Sequence, residues 1–178
     1  MTWNMSHPII NLTMSMEKMR INVAQLLNEP AGASRSYSLE ENVGEDDINS
    51  VKGDVVLIRS GNAIIVSGKM TASVRLVCSR CLKPINCEVT FDFEEEALPV
   101  LAEGLSPSVQ YDNLIIDESH ILDLSEAVRQ YIWLTVPAKP LCSSDCAGIC
   151  PTCGHDLNQE PCKCPSSVKG PRWSKLVR

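Results

Sequence analysis

Apolar and polar residues alternate along the middle of the chain, and this alternation predicts β-strands. One strand is predicted over residues 55–59, a longer return strand over 63–78, and a third over 85–95. Turn signals separate them at 60–62 (Ser-Gly-Asn) and 81–84 (Cys-Leu-Lys-Pro). The third strand places these residues on one face: Cys87, Val89, Phe91 and Phe93. Together the three segments predict an antiparallel meander.

The pattern is weaker on both sides of the meander. Residues 21–27 predict a short strand or a single helical turn, and residues 30–38 predict a turn. The acidic, glycine-containing stretch 40–54 predicts a loop or an exposed edge. Residues 98–117 predict an irregular connection because proline and glycine recur there.

A helix is predicted to open at residues 121–123. Asp123 can serve as its N-cap, and Glu126, three residues later, can complete a capping box. Four residues then recur at helical spacing: Leu124, Val128, Tyr131 and Thr135. Pro137 and Pro140 end the helix.

The chain has nine cysteines, and eight of them stand in closely spaced pairs. The pairs are Cys78 with Cys81, Cys142 with Cys146, Cys150 with Cys153, and Cys162 with Cys164. Zinc takes four such ligands in a tetrahedron, so the segment 150–164 alone contains enough for a complete site. Gly154 suits a metal-binding turn because glycine readily takes a positive φ. Cys87 is in phase with the apolar strand face, and we interpret it as a buried residue and not a ligand.

Three other readings of the cysteines compete with zinc. A disulfide framework is disfavoured by the odd number of cysteines and the lack of a secretion signal. A redox pair at Cys78 and Cys81 lacks the usual βαβ surroundings, and an iron–sulfur cluster is not excluded by cysteine count. His7 and His120 have no partners at ligand spacing, and His155 lies in a polar loop. Zinc, one or two ions, is the favoured cofactor.

Charge is unevenly distributed along the chain. The net charge is −6, but residues 163–178 carry five basic residues and no acidic ones. The rest therefore carries 11 basic and 22 acidic residues, a net charge of −11. An acidic body attracts basic partners, or simply keeps the protein soluble. The basic end could approach a polyanion, or dock on the body as an amphipathic helix.

These patterns predict an α+β fold. It comprises an antiparallel β meander or partly closed barrel packed with one main helix, followed by a small cysteine-rich zinc-binding segment. Four regions are expected: a disordered extension at 1–18, an α+β domain at 19–141, a cysteine-rich metal-binding segment at 142–164 and a basic tail at 165–178. Five methionines within the first 19 residues leave the true start codon open. Without a visible signal peptide or a long apolar run, the expected location is the cytoplasm.

Several motifs resemble the bacterial YceD family, in its cysteine-rich branch. They are Cys78-Ser-Arg-Cys81-Leu-Lys-Pro, Asp123-Leu-Ser-Glu-Ala-Val-Arg, Leu134-Thr-Val-Pro-Ala-Lys-Pro-Leu-Cys142, Cys146-Ala-Gly-Ile-Cys150-Pro-Thr-Cys153-Gly, Leu157-Asn, Cys162-Lys-Cys164 and Pro171-Arg-Trp-Ser-Lys-Leu. The resemblance covers roughly residues 19–178. It implies a role in accumulation of large-subunit (23S) rRNA, hence in ribosome biogenesis, with no established enzymatic activity.

The resemblance also implies how the cysteines divide. Some family members lack the last four cysteines and carry His-x3-His in place of Cys142-x3-Cys146. This exchange suggests one site formed by Cys78, Cys81, Cys142 and Cys146. The remaining set would be Cys150, Cys153, Cys162 and Cys164. Spacing alone leaves open a single site that mixes Cys142 or Cys146 with Cys150 and Cys153.

The function expected is a noncatalytic ribosome biogenesis factor that binds a basic large-subunit ribosomal protein, large-subunit rRNA, or both. Possible RNA contacts lie in the basic tail: Lys169, Arg172, Trp173, Lys175 and Arg178. One alternative is a direct RNA-binding module, which the acidic, aromatic-poor body disfavours. Another is a thiol redox or zinc-dependent enzyme, which closed all-cysteine ligation disfavours. No membrane contact or small-molecule substrate is expected.

Overall fold

The computed structural model describes residues 19–45, 47–100 and 114–164. Seven strands lie within these ranges: β1 (Arg20–Asn22), β2 (Ser34–Glu45), β3 (Ile48–Ser60), β4 (Ala63–Val77), β5 (Pro84–Pro99), β6 (Leu114–Ile116) and β7 (Ile121–Asp123). Two helices accompany them: α1 (Ala24–Leu27) and α2 (Ser125–Thr135). The predicted extension at 1–18 and the predicted tail at 165–178 lie outside the described residues. No helix in the described ranges is long and apolar enough to cross a membrane.

The seven strands form one sheet in the order β1-β7-β6-β5-β4-β3-β2. The predicted meander is present as β3, β4 and β5, joined by short turns. β5 and β6 run parallel, with Ala97 opposite Leu114. The other pairings whose register is defined, β1–β7, β2–β3 and β6–β7, are antiparallel. The fold is therefore mostly β.

The chain divides into two compact units. The sheet unit comprises residues up to Ser73 together with Glu88–Thr135. The cysteine unit comprises Val74–Cys87, which is the tip of the β4–β5 hairpin, together with the described residues from Val136 onward. All eight paired cysteines belong to the cysteine unit.

The core of the sheet unit follows the predicted alternation. Val89, Phe91 and Phe93 are buried on β5, while the residues between them are exposed. The Phe93 ring lies over Gly68 of β4, where an added Cβ would sit 2.2 Å from Cε1 of Phe93. Gly68 is thus required by the packing of an aromatic ring and not by a turn.

Helix α2 presents Val128 and Ile132 to the core. The Tyr131 ring stacks on Phe91, with centroids 6.2 Å apart, and its hydroxyl donates to Oε1 of Glu95 at 2.6 Å. Because a partly buried carboxylate accepts this proton, hydrogen bonding and burial raise the pKa of Tyr131. The predicted helical face is thereby placed against β5.

Four sequence predictions of structure need correction. Residues 34–45, predicted as a turn followed by a loop or an exposed edge, form strand β2 at one end of the sheet, so only the edge alternative holds. Within 98–117, β5 continues to Pro99 and β6 begins at Leu114. The helix begins at Ser125, because residues 121–123 pair with β1 as strand β7. The one-turn helix α1 is also present, so the prediction of one main helix is not confirmed.

The start of α2 also differs from the predicted capping box. Oδ1 of Asp123 accepts the backbone N–H of Ser125 at 2.9 Å, so Asp123 does hold the first turn. The Glu126 carboxylate accepts from Arg129 and Gln130, farther along the helix. Glu126 therefore bonds within α2, in place of the predicted reciprocal bond to the N-cap.

Candidate metal centres

Four cysteines converge at the tip of the β4–β5 hairpin. Cys78, Cys81, Cys142 and Cys146 have all their sulfur atoms within 4.8 Å of one another. We call this group the hairpin site. Its Sγ atoms are 3.9 Å apart for Cys78 and Cys146 and 3.6 Å apart for Cys81 and Cys142. Cys142 is exposed, while the other three are buried and packed by Ile85, Leu141 and Ile149.

The other four paired cysteines form a second group. Cys150, Cys153, Cys162 and Cys164 also have their sulfurs within 4.8 Å of one another. We call this group the loop site, because one loop of fifteen residues, 150–164, supplies all its members. Cys150 is buried and Cys153 is exposed. The structure thus brings the eight candidate ligands together in two sets of four, and no set mixes the two groups.

The sulfur spacing fits one tetrahedral ion in each group. Metal–sulfur bonds of about 2.3 Å place tetrahedral ligands about 3.8 Å apart, close to the 3.6 and 3.9 Å separations in the hairpin site. A disulfide would bring two sulfurs to about 2.05 Å, and all nine cysteines are free thiols. An iron–sulfur cluster places several atoms between its cysteines, which requires wider spacing. The donor sets therefore suit a single soft or borderline metal ion in each site.

Both Cys-x-x-Cys turns share one backbone conformation. The N–H of Cys78 donates to the Lys83 carbonyl at 2.9 Å, and the N–H of Leu82 donates to the Cys78 carbonyl at 3.0 Å. In the second turn, Cys150 donates to His155 at 2.8 Å and Gly154 to Cys150 at 2.9 Å. The residue after each turn has a positive φ, 60° at Leu82 and 74° at Gly154. The sequence predicted the glycine but gave no sign of Leu82.

These turns aim backbone N–H groups at sulfur. The N–H groups of Cys81 and Arg80 lower the pKa of the Cys78 thiol to about 6. Those of Cys153 and Thr152 do the same for Cys150, also to about 6, and Thr152 N lies 3.4 Å from the Cys150 sulfur. Stabilised thiolates are the form that binds a metal.

The close packing of the sulfurs raises the pKa of one other thiol in each group. Hydrogen bonding to the Cys146 and Cys81 sulfurs raises the pKa of Cys142 to about 12. Contact with Cys153 raises the pKa of Cys164 to about 12. Four thiolates this close repel one another, so full ionisation requires a cation between them.

Three other candidates from the sequence, Cys87, His120 and His155, belong to neither cysteine group. Cys87 is half-buried on β5 and belongs to neither group. His120 and His155 are likewise outside both groups, although the His155 carbonyl accepts from Cys150. The candidate RNA contacts lie outside the described residues: Lys169, Arg172, Trp173, Lys175 and Arg178. Two residues that bond at or next to the hairpin site, Asp156 and Asn158, were not predicted from the sequence, because neither belongs to a closely spaced cysteine pair.

Comparison with known proteins identifies the family. The family described as "Large ribosomal RNA subunit accumulation protein YceD" matches residues 66–178, a range that contains both cysteine groups. The chain belongs to the YceD family. The description of the YceD family names an effect on ribosomal RNA and no chemical reaction.

The curated relatives carry no functional name. Uncharacterized proteins of Mycobacterium bovis and Mycobacterium tuberculosis are 32% identical over 115 residues, which is 64% of this chain and 54% of theirs. One from Mycobacterium leprae is 29% identical over 115 residues. The chain thus spans about half the length of the curated relatives it matches. No solved structure matches it.

Proposed function

We propose that this protein is a noncatalytic, cytoplasmic factor of bacterial ribosome biogenesis that supports accumulation of 23S rRNA. Membership of the YceD family carries this proposal, because the family description names large ribosomal RNA accumulation. In this proposal both cysteine sites hold structural zinc, and the protein acts by binding a basic large-subunit ribosomal protein, rRNA, or both.

The chemistry of the sites supports a structural role for zinc. Catalytic zinc keeps one coordination position for water, usually beside three protein ligands. Each site here offers four sulfurs, which fill a tetrahedron. Bound zinc would supply cross-links between segments, and the cysteines would hold it as thiolates.

An acidic groove in the sheet unit supports a basic protein partner. A groove of about 550 Å³ in the sheet unit is lined by residues that include Asp54, Asp92 and Glu94. Among the described residues that line it, Lys69 is the one basic residue. A groove with three carboxylates attracts cationic segments and repels phosphate. RNA contacts, if made, would therefore fall to the tail at 165–178.

Depletion of the protein tests the biological role. We expect the ratio of 23S to 16S rRNA to fall in depleted cells and to recover with the wild-type gene. The Cys87→Ser gene should also restore the ratio, whereas the Cys81→Ser gene should not. Of these two cysteines, only Cys81 belongs to the hairpin site. An unchanged ratio after depletion would contradict the proposal.

Affinity purification tests the partner. We expect a basic ribosomal protein to be recovered, with binding that weakens as salt screens charge beyond about 8 Å. Asp92→Lys with Glu94→Lys should weaken it, whereas Glu118→Lys, at an exposed turn, should not. Recovery of rRNA alone, unaffected by the groove variants, would assign the binding to RNA and refute a protein partner.

A further inference from the structure

The loop that carries the second cysteine group also touches the first. Nδ2 of Asn158 lies 3.5 Å from the sulfur of Cys146 and donates a hydrogen bond to it. Oδ1 of the same amide accepts the N–H of Ala147 at 2.7 Å. The Asn158 amide therefore bonds both to the sulfur of Cys146, a hairpin-site ligand, and to the backbone of the next residue, Ala147.

Asn158 is held in this orientation by Asp156. Oδ1 of Asp156 accepts both the backbone N–H of Asn158, at 3.0 Å, and its Nδ2, at 2.7 Å. The other oxygen of Asp156 forms an ion pair with Nζ of Lys83 at 2.5 Å. Lys83 follows Cys81 by two residues, so the chain of bonds reaches both halves of the hairpin site.

Asn158 and Asp156 lie between the two ligand pairs of the loop site. The segment from Cys153 to Cys162 is short and polar, and its side chains are largely exposed. Short polar segments of this kind need a covalent or metal cross-link to hold one conformation. Closure of the loop site would therefore fix the position from which Asn158 reaches Cys146.

We propose that Asn158 is a positioning residue for the hairpin site and that it makes the two sites bind metal cooperatively. This inference rests on the proposed metal binding. A divalent ion with four thiolates leaves a net charge of −2, spread over the sulfurs. An N–H donor to one sulfur stabilises that charge. Hydrogen bonds to metal ligands commonly change metal affinity by about 10- to 100-fold when removed.

The test measures the zinc affinity of the hairpin site in the full-length, zinc-loaded protein. Zinc affinity is measured by competition with a chromogenic chelator, and cobalt substitution reports thiolate ligation by its absorption bands. Cys153→Ser, which breaks the loop site, should weaken zinc binding at the hairpin site about 10- to 100-fold. Asn158→Ala should weaken it similarly while the loop site stays filled. Gln159→Ala, at the adjacent exposed position, should leave it within about twofold.

The double variant separates coupling from general damage. If Asn158 transmits the effect, adding Asn158→Ala to Cys153→Ser should cost little more than either change alone. Asn158→Asp keeps the acceptor for Ala147 but loses the N–H donor, so it should weaken zinc binding without unfolding the loop.

Independent sites would overturn the inference. This outcome would appear as unchanged hairpin-site affinity in Cys153→Ser, or as fully additive losses in the double variant. Absence of bound metal in the wild-type protein would instead refute the zinc proposal itself. A failure of the rRNA experiment would refute the biological role and leave cooperative binding standing.

Discussion

Loss of one hairpin-site ligand should affect stability far more than loss of a cysteine outside both groups. Cys81 and Cys142 are 61 residues apart, so an ion that joins them closes a long loop. Treated like a disulfide of that loop length, the cross-link stabilises the fold by about 4 kcal/mol. Cys81→Ser should approach this loss. Cys87→Ser should change stability by less than about 1 kcal/mol, because Cys87 is half-buried and belongs to neither group.

Two measurements report this difference. Urea denaturation of the zinc-loaded proteins gives the free energies of unfolding, and elemental analysis gives metal per chain. We expect two equivalents of zinc in the wild type and in Cys87→Ser, and one in Cys81→Ser. Hydrogen exchange should increase at the hairpin tip and over residues 136–146 in Cys81→Ser, since those segments form the site.

Equal losses of stability in both variants would contradict a cross-linking role for Cys81. Retention of two equivalents of zinc in Cys81→Ser, or hydrogen exchange that rises only over residues 150–164, would contradict it as well. Less than half an equivalent of any metal in the wild type would remove the basis of the prediction altogether.

Three further predictions concern packing and turns. Gly68→Ala should destabilise the protein by about 1–3 kcal/mol in denaturant, because its Cβ meets the Phe93 ring, and Phe93→Leu should restore part of the loss. Tyr131→Phe should cost about 1 kcal/mol at pH 7 through the lost bond to Glu95. Because the folded-state pKa of Tyr131 is raised above its ordinary value of 10, the stability of the wild type should fall as the pH rises through the folded-state pKa. In thermal melts, the stability of Tyr131→Phe should depend less on pH over that range. At Leu82, where φ is 60°, Gly should preserve zinc affinity and Val should weaken it in chelator competition.

The meander could be predicted because apolar and polar residues alternate along much of β4 and β5. Strand β2 also alternates in burial, but its exposed residues are mainly serine and its inward residues include Arg35 and Glu41, so its sequence resembles a loop. Its strand character comes from pairing with β3 over ten register positions, a tertiary effect that local patterns do not show. The parallel strand β6 was also missed, because its three residues are too few to show a local pattern.

The candidate ligands could be predicted from spacing, but their division into sites could not. Cys78 and Cys146 are 68 residues apart, and only the fold places their sulfurs together. The resemblance to YceD proteins suggests the same grouping through a different signal, the exchange of one cysteine pair, Cys142 and Cys146, for a histidine pair. Leu82 gave no signal because leucine rarely takes a positive φ, and the backbone bonds of the turn impose it.

The different spans of the two sites imply an order of events during synthesis. The loop site gathers its ligands from fifteen consecutive residues, so it can close as soon as that segment is made. The hairpin tip presents Cys78 and Cys81 much earlier, and these must wait for Cys142 and Cys146, more than sixty residues later. In that interval the nascent chain carries a half-site of two thiols that are open to oxidation or to the wrong metal. Timely zinc delivery therefore matters most for the hairpin site, whose first ligands are exposed longest.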